Sequence, residues 1–583
     1  MATLKHLVNK IDDTVAESLS GLCCTYPQLE LLLAHKLVLS PDIRDQKNKV
    51  AVICGGGSGH EPFVTGFVGT GMLTAAIAGS IFASPPSKHI THAINCVAQN
   101  NTAGILVIVP NYTGDCLNFG IALEKAKQAD INIAEIIVGE DCSIPKKEQS
   151  SIGKRGLTGM ILIIKIAGAL AERGETLSEV LKYAELTLEN MATYAVGLSA
   201  CSIPGQGYMF ELAPDEIEAG MGIHGEAGYE RMKIRNASEI VALMLQRICE
   251  ELKLISGDNV AIIVNNFGAL SQLEQGIVTH ETIKQLNNKG IQPLRVYSGI
   301  LVTSLNSAGI HITLLKLPKC HKNIFLSCLD DATNAPGWPG CFYSIPSVIT
   351  RSPFNEVEEK KLDKIGIHVD SQYGHLIKLC LQNACKSIIE KETYLNELDR
   401  ICGDGDCGTT LKRFTMGIQE NLNDLSFTYP SLLLTQIADI AEESMGGSSG
   451  ALYCLFFTTA AKELLSFEEN EDITSAWSRT FCSALNCIMK YGKAKPGDRT
   501  MLDALDPACR TFKQLVRAPL TDIIQNVTTA TWQGCEVTKG IKARAGRATY
   551  IKQENYMQQV DAGAYAAATW ITAVAKTIKN CKK

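Results

Sequence analysis

The sequence lacks the features that mark several large classes of protein. Among 583 residues, 55 lysines and arginines face 61 aspartates and glutamates, so there is no excess of positive charge for nucleic acid to bind. The longest apolar stretches, residues 159–170 and 451–461, are too short to cross a bilayer. The start of the chain carries Asp12 and Asp13 and no apolar segment, unlike a secretory signal. We therefore expect a cytoplasmic protein with no nucleic-acid or membrane partner.

The 21 cysteines also lack a pattern. No C-x-x-C pair occurs, whereas a zinc site normally shows paired cysteines. A disulfide scaffold would be short and regularly spaced, but here the number is odd and Cys23 and Cys24 are adjacent. We expect reduced, mostly buried thiols.

The chain has two halves with different sequence patterns. From about residue 45 to 318, short apolar runs alternate with amphipathic stretches, which predicts an α/β architecture with a largely parallel sheet. The predicted strands are 49–54, 104–109, 131–138, 196–201, 260–264, 293–301 and 311–317, and the predicted helices include 117–129, 156–173 and 271–289. We expect residues 9–335 to form this module, in two lobes.

The pattern changes near residue 335. Residues 336–370 are rich in proline and glycine and end in a charged run, which is typical of a linker between domains. Beyond the linker only helical patterns remain, at 376–398, 429–465, 475–491, 501–516 and 561–578. We expect residues 371–580 to form an all-helical module.

The first candidate site begins where strand 49–54 meets GGGSGHEP, residues 55–62. A dinucleotide fingerprint would need glycine where His60 stands, and a P-loop would need a lysine after the glycines, so both are excluded. The glycines let a small polar ligand approach the backbone, with the imidazole of His60 at the edge of the turn. The alternative is a tight turn with a solvated histidine.

Two further residues could share a cleft with His60. Asp115, in NYTGD, follows the next predicted strand, and ligands of open α/β sheets collect at the carboxyl ends of strands. The alternative role for Asp115 is the N-cap of a helix starting at Leu117. His224, in GMGIHGEAG, is flanked by small residues that leave its imidazole open to a substrate, although most single histidines are structural.

The motifs GGGSGHEP, GMLTAAIAGSIFASPP, NYTGD and GIHGEAG together resemble the substrate-binding module of ATP-dependent dihydroxyacetone kinases. The resemblance covers essentially the whole first half. It implies that His224 attacks the ketone carbon of dihydroxyacetone and holds it as a hemiaminal, which selects a carbonyl triose over glycerol. It also implies that Asp115 deprotonates the terminal hydroxyl, with help from His60. The implied substrate-binding residues are Gly57, Ser58, Gly59, His60 and Asp115.

The sequence departs from that family at two positions. The family usually has lysine before NYTGD, where this chain has Pro110, and commonly has histidine where this chain has Val64. Proline offers neither an ammonium group nor a backbone N–H. Both changes predict a less polar cleft.

The second candidate site lies in LDRICGDGDCGTT, residues 398–410. Asp399, Asp404 and Asp406, separated by glycines, can converge their oxygens on hard cations. An EF-hand is excluded, because its bidentate glutamate would fall on Thr410 or Thr415. A helix then begins, and its first N–H groups suit phosphate. The alternative is a solvated acidic turn.

Smaller signals accompany the acidic loop. MGGSSGA, residues 445–451, interrupts an apolar helical region, which indicates close approach of a ligand or of another helix. The segments 492–501 and 544–550 add basic groups that could neutralise phosphate.

These features resemble the nucleotide-binding helical module of the same kinases, which implies an up-down barrel of about eight helices. The resemblance makes Asp399, Asp404 and Asp406 ligands of two Mg²⁺ ions that bridge the ATP phosphates. The implied nucleotide-binding residues are Cys407, Gly408, Thr409, Thr410, Ser448, Ser449, Gly492, Thr500, Met501, Arg547, Asp561, Ala562 and Gly563. The family's Asp-Pro-Gly is Asp-Ala-Gly at 561–563.

The fused order resembles the bifunctional members of the family, which phosphorylate dihydroxyacetone and D-glyceraldehyde. Those members also split FAD into AMP and riboflavin cyclic 4′,5′-phosphate, with Mn²⁺ or Co²⁺ as alternatives to Mg²⁺. We expect both activities and a homodimer. Two alternatives stay open: a homologue weakened as a kinase by Pro110 and Val64 that mainly splits FAD, and a non-catalytic interaction protein.

Overall fold

The computed structural model describes residues 5–44, 48–99, 103–145, 153–340, 366–466, 471–546, 549 and 557–581. The chain divides into two compact units, Met1–Asn355 and Glu356–Lys583. Within the described residues, no helix has both the length and the apolar character needed to cross a membrane.

The first lobe of the α/β unit is built on a six-stranded sheet in the order β1-β2-β4-β3-β5-β6. Its strands are β1 (Glu30–Leu32), β2 (Leu37–Leu39), β3 (Ala51–Ser58), β4 (Ala75–Ile81), β5 (Ile105–Pro110) and β6 (Ile133–Val138). Strands β4, β3, β5 and β6 are mutually parallel, and β1 and β2 are antiparallel additions at one edge. The accompanying helices are α1 (Thr14–Thr25), α2 (Ser87–Ala98), α3 (Thr113–Gln128), α4 (Met160–Glu172) and α5 (Leu177–Glu189).

The second lobe carries a six-stranded sheet in the order β11-β10-β12-β7-β8-β9. Its strands are β7 (Met191–Gly197), β8 (Glu216–Ala219), β9 (Glu230–Lys233), β10 (Asn259–Asn266), β11 (Gln292–Gly299) and β12 (Gly309–Lys316), and its helices are α6 (Ala237–Leu252), α7 (Gln272–Asn288) and α8 (Lys322–Asp330). Only β10 and β11 pair in parallel. The expectation of a largely parallel sheet is therefore right for the first lobe and wrong for the second. The apolar runs of β10 and β12 reflect burial on both faces, which does not depend on strand direction.

Two strand predictions need correction. The predicted strand 196–201 overlaps only the end of β7, which begins at Met191. The predicted strand 49–54 continues through the glycines to Ser58, so those glycines are sheet residues. Close neighbours explain two of them: a Cβ on Gly55 would be 2.7 Å from the carbonyl oxygen of Ile77, and one on Gly57 would be 2.9 Å from the backbone nitrogen of Ala83. The turn comes later, at Gly59, whose φ is +101°.

All the regular secondary structure in the described residues of the second unit is helical. Its helices are α9 (Ser371–Ile389), α10 (Glu392–Arg400), α11 (Cys407–Glu420), α12 (Pro430–Ser444), α13 (Gly447–Leu464), α14 (Ile473–Gly492), α15 (Leu502–Leu515), α16 (Leu520–Val537) and α17 (Ala562–Cys581). From α11 onward each helix packs against the next, and α9 packs against both α11 and α17, which closes a ring of eight. The short α10 is added to that ring. An apolar cavity of about 450 Å³ lies among these helices.

Candidate functional site

His60 lies where the two lobes of the α/β unit meet. Its imidazole is buried, and Nδ1 is 2.9 Å from the carbonyl oxygen of Thr303, in the loop between β11 and β12. The same loop holds the backbone, since the N–H of Thr303 donates to His60 O at 3.1 Å and that of Leu305 donates to Gly59 O at 2.8 Å. Because Nδ1 must carry the proton shared with Thr303, Nε2 is left with its lone pair.

The Nε2 atom of His60 is buried and has no hydrogen-bond partner among the described residues. Burial, followed by the nearby His224, lowers the pKa of His60 to about 3. The ring is therefore neutral at pH 7, and its free nitrogen can accept a hydrogen bond from a ligand.

Asp115 lies in the first turn of α3 and is buried. The helix begins at Thr113, so the N-cap alternative, with a helix starting at Leu117, is wrong. Ser84 hydrogen-bonds the carboxyl group, and Oδ1 has no partner among the described residues. Burial raises the pKa of Asp115 to about 6. A buried carboxylate with a free oxygen and this pKa has the properties of a general base.

The segment 82–84 connects Asp115 to His60. Phe82 stacks on the His60 ring with centroids 5.2 Å apart, and its N–H donates to the carbonyl of Ser58 at 2.9 Å. Two residues later, Ser84 hydrogen-bonds Asp115. One short segment therefore touches both candidate catalytic groups.

His224 belongs to the same group of rings. Its ring is edge-on to three others, with centroid distances of 4.4 Å to Tyr112, 4.8 Å to His60 and 5.7 Å to Phe82. Burial lowers its pKa, while Glu226 acts to raise it and Arg155 to lower it. The structure thus brings His224 beside His60, and it keeps the imidazole uncharged.

An ion-pair network supports the backbone of His224. The N–H of His224 donates to Glu226 Oε2 at 2.9 Å, and Arg155 Nη1 donates to Glu226 Oε1 at 3.2 Å. Arg155 also contacts Asp141 at 2.7 Å and the carbonyl of Gly220 at 2.7 Å. A Cβ on Gly222 would lie 1.6 Å from Glu226 Oε1, so only glycine leaves room for this carboxylate.

The predicted substrate-binding residues Gly57, Ser58 and Gly59 lie directly before His60. The hydroxyl of Ser58 already donates to Gly79 O at 2.9 Å, and the N–H of Gly59 donates to Glu61 Oε2 at 3.0 Å. Pro110 ends β5 and its ring faces Gly56, while Val64 is buried in the core of the first lobe. Pro110 therefore places apolar atoms beside the glycine strand, whereas Val64 adds them to the core.

The acidic loop of the helical unit has converging oxygens. One carboxylate atom from each of Asp399, Asp404 and Asp406 lies within 4.8 Å of the others. Asp399 Oδ2 accepts hydrogen bonds from the N–H groups of Gly405 and Asp406, at 2.9 and 3.0 Å, which folds the loop around it. Desolvation, then Asp404, raises the pKa of Asp406. Three hard, mutually repelling donors fit a divalent cation, which would supply the missing counter-charge.

Helix α11 begins directly after this loop, as predicted. Not all of its first N–H groups are available to a phosphate, because Thr409 donates to Asn396 Oδ1 at 3.0 Å and Thr410 donates to Asp406 O at 2.8 Å. Arg413 Nη2 reaches Thr410 Oγ1 at 3.1 Å and Met445 O at 3.3 Å. It ties the start of α11 to the joint between α12 and α13.

That joint is the small-residue cluster 445–451. It divides the helical stretch predicted over 429–465 into two helices, because α12 ends at Ser444 and α13 begins at Gly447. Gly446 and Gly447 have φ of +66° and +60°, which favours glycine. The break places Ser448 and Ser449 in the first turn of α13.

The remaining predicted nucleotide residues lie at helix ends. Thr500 and Met501 precede α15, Gly492 ends α14, and a Cβ on Gly563 would lie 3.4 Å from Met501 Cβ. Asp561 precedes α17, and its Oδ1 accepts from Ala564 N at 2.8 Å. Ala562 and Cys407 are the first residues of α17 and α11. Arg547 lies outside the described residues.

The sequence placed Arg499 among basic groups that could neutralise phosphate, and gave no role to Asp503. Arg499 is buried in a left-handed conformation, with φ of +62°, and its guanidinium is 3.9 Å from Asp561 Oδ2. Burial raises the pKa of Asp561 to about 6 and Arg499 opposes that rise. Asp503 Oδ2 accepts from Thr500 N at 2.8 Å and so holds the loop before α15. The motif DRTMLD, residues 498–503, could have indicated these interactions, because charged residues next to the apolar start of a helix need hydrogen-bonding or charged partners.

An α/β unit with an acid–base cluster and a helical barrel with a carboxylate triad define a two-module enzyme of the phosphotransferase class. Two family models match the chain, the Dak1 domain over residues 20–337 and the DAK2 domain over 401–576. The chain is an enzyme of the dihydroxyacetone kinase family.

Relatives match over the full length. The Triokinase/FMN cyclase of Mus musculus is 40% identical over 99% of both chains, and Dihydroxyacetone kinase 1 of Saccharomyces cerevisiae is 33% identical over 97% of this chain and 98% of its own. A solved structure of the dihydroxyacetone kinase from C. freundii, in complex with AMP-PNP and Mg²⁺, is 31% identical, with a TM-score of 0.66 over 98% of this chain and 99% of that one.

Proposed function

We propose that this protein phosphorylates dihydroxyacetone and D-glyceraldehyde with ATP, and that its helical module also splits FAD into AMP and riboflavin cyclic 4′,5′-phosphate. The observation that carries the kinase proposal is the cluster of His60, Asp115 and His224. Its members are buried or half-buried, and free atoms of two of them are without partners among the described residues. Full-length relatives named triokinase/FMN cyclase support both activities.

The first chemical step is covalent capture. An imidazole nitrogen of His224 forms a bond to the carbonyl carbon of the triose as the C=O π bond breaks. The carbonyl oxygen gains a proton, and the other ring nitrogen loses one, so the hemiaminal is neutral. A lowered pKa favours this step because only the uncharged ring has a lone pair to donate.

The second step is activation of the terminal hydroxyl. Asp115 takes the hydroxyl proton as the oxygen attacks the γ-phosphorus, the bond from that phosphorus to the β,γ-bridging oxygen breaks, and ADP leaves. The free Nε2 of His60 accepts a hydrogen bond from the substrate. With a pKa of about 6, Asp115 is mostly ionised at pH 7.5 but remains a stronger base than an ordinary aspartate.

The helical module binds the nucleotide. Asp399, Asp404 and Asp406 would hold Mg²⁺, which neutralises phosphate charge and polarises the phosphoryl group when bound. Mn²⁺ or Co²⁺ can take this place in FAD splitting. The serines at the start of α13, Thr410 and the loop before α15 enclose the nucleotide, and Arg547 adds positive charge.

A second candidate function follows from Pro110 and Val64. Neither side chain can hydrogen-bond a triose, and both leave the helical module unchanged, so FAD splitting is the activity that would survive weakened triose binding. Intact Asp399, Asp404 and Asp406 argue against a non-catalytic protein.

Mutation should separate the two proposed activities. We expect His224→Ala to abolish ATP-dependent phosphorylation of dihydroxyacetone in an assay coupled to ADP release, with FAD splitting, followed by chromatography of AMP, unchanged. His280→Ala, an exposed histidine of α7, is the control. Wild-type kinase activity in His224→Ala would overturn the capture step. Absence of kinase activity in the wild type, with FAD splitting present, would favour the second candidate.

We also propose a homodimer. Phosphoryl transfer requires the nucleotide-binding module to meet a triose-binding module, and in a dimer that triose-binding module can belong to the second copy. Sedimentation equilibrium should give a particle of twice the chain mass. A single-chain mass at micromolar concentration, with full kinase activity, would contradict it.

A further inference from the structure

Two cysteines of the helical unit face each other across the interface of α14 and α15. The Sγ atoms of Cys482 and Cys509 are 2.7 Å apart, and both cysteines are free thiols. Cys482 lies in the third turn of α14 and is partly exposed, whereas Cys509 lies in the middle of α15 and is buried. The two thiols are thus within bonding reach of each other, and one of them is open to solvent.

We propose that Cys482 and Cys509 are an oxidation site, at which a peroxide converts the two thiols into a reversible disulfide between α14 and α15. The Cys482 thiolate attacks a peroxide oxygen, the O–O bond breaks, and Cys482 becomes a sulfenic acid as one water leaves. The Cys509 sulfur then attacks the Cys482 sulfur, the S–O bond breaks, and a second water leaves. Overall, two thiols and one hydrogen peroxide give one disulfide and two waters.

The environment decides which sulfur reacts first. Burial, then the neighbouring Cys482 thiol, raises the pKa of Cys509. Cys509 is therefore poorly suited to attack peroxide from solvent, but it is well placed to resolve a sulfenic acid on Cys482. The second step needs little motion, because both sulfurs are held by helices that already pack together.

The disulfide would enclose a segment that matters for the nucleotide. The chain between the two cysteines includes Gly492, Thr500 and Met501, and Asp503 on α15 holds the loop through the N–H groups of Gly497 and Thr500. Cross-linking α14 to α15 therefore closes a covalent loop around this part of the candidate nucleotide site. It also limits the freedom of the unfolded chain.

The test uses the full-length protein treated with hydrogen peroxide, then digested without reduction and analysed by mass spectrometry. We expect a linked peptide pair containing Cys482 and Cys509, a loss of about two hydrogen masses, and full reversal by dithiothreitol. By calorimetry, the melting temperature of the helical unit should rise by about 5 °C on oxidation. Cys487→Ser, on the same helix, should behave as wild type in both measurements.

Two variants keep the test decisive. Cys482→Ser and Cys482→Ala should each lose the linked peptide and the rise in melting temperature, and only one of them needs to fold. If wild-type protein gives no linked pair at peroxide levels that oxidise other cysteines of the chain, the proposal is overturned. It is also overturned if the rise in melting temperature persists in both variants.

Discussion

Replacing Asp115 by asparagine should make the protein more stable and much less active. Burial raises the pKa of this carboxyl from its ordinary 3.8 to about 6. A rise of that size corresponds to about 3 kcal/mol against the ionised form. Asparagine is nearly isosteric, can still accept the hydrogen bond from Ser84, and carries no charge to desolvate.

The effect depends on pH in a defined direction. Below pH 3.8 the carboxyl is protonated in both the folded and the unfolded chain, so it brings no ionisation penalty. As the pH rises toward 6, the unfolded chain ionises first, and the wild type loses stability relative to Asp115→Asn. Above pH 6 the carboxyl is ionised in both states, and the wild type has lost the full stability difference relative to Asp115→Asn.

At pH 7.5 we expect Asp115→Asn to raise the melting temperature of the α/β unit by about 3 °C, which corresponds to about 2 kcal/mol after relaxation of the site. At pH 4.5 the gain should be much smaller. Kinase turnover should fall about 100-fold or more, because the general base is gone. Calorimetry at the two pH values and the coupled kinase assay measure these effects. An equally active variant, or a stability gain that does not change with pH, would refute the reasoning.

Three further changes test the surrounding structure. Gly222→Ala should lower kinase activity about tenfold while leaving FAD splitting intact, because the new methyl group displaces Glu226 from the His224 backbone. Equal loss of both activities, measured side by side, would contradict this prediction. Asp404→Asn should weaken Mg²⁺-dependent ATP binding about 100-fold in isothermal titration and also reduce FAD splitting, and unchanged binding would remove Asp404 from the metal set. Pro110→Lys should lower the KM for dihydroxyacetone about tenfold through a charged hydrogen bond, and no change would show that the proline does not limit triose binding.

The fold was predictable where local pattern and burial agree. The helical barrel has several amphipathic helices, and its neighbouring helices pack together, so sequence periodicity identified both the class and most elements. The direction of the strands in the second lobe was not predictable, because a strand such as β12 is apolar whichever way it runs. The glycines at 55–57, predicted to form a turn, belong to strand β3 for a related reason. They allow close approach within a sheet as readily as they allow a turn.

The sequence predicted which residues belong to the candidate site, but not the ion pairs and the burial that surround them. His60, Asp115 and His224 each follow a small-residue motif, and the structure connects them through the ring contacts of His60 with Phe82 and His224 and through the hydrogen bond of Ser84 with Asp115. The supporting ion pairs were not predictable, since Arg155 lies 71 positions before Glu226 and no local pattern joins them. Lys165 shows the same limit. It interrupts an apolar run in sequence, yet it is fully buried and donates to Cys328 O at 2.7 Å.

The measurement that tests the central claim most directly is intact-protein mass spectrometry under native conditions after incubation with dihydroxyacetone, because acid would reverse a hemiaminal. We predict an added mass of one triose on the wild-type chain, absent from His224→Ala and from protein incubated with glycerol. A wild-type chain without the added mass at triose concentrations that saturate turnover, or an equal added mass on His224→Ala, would contradict covalent capture by His224.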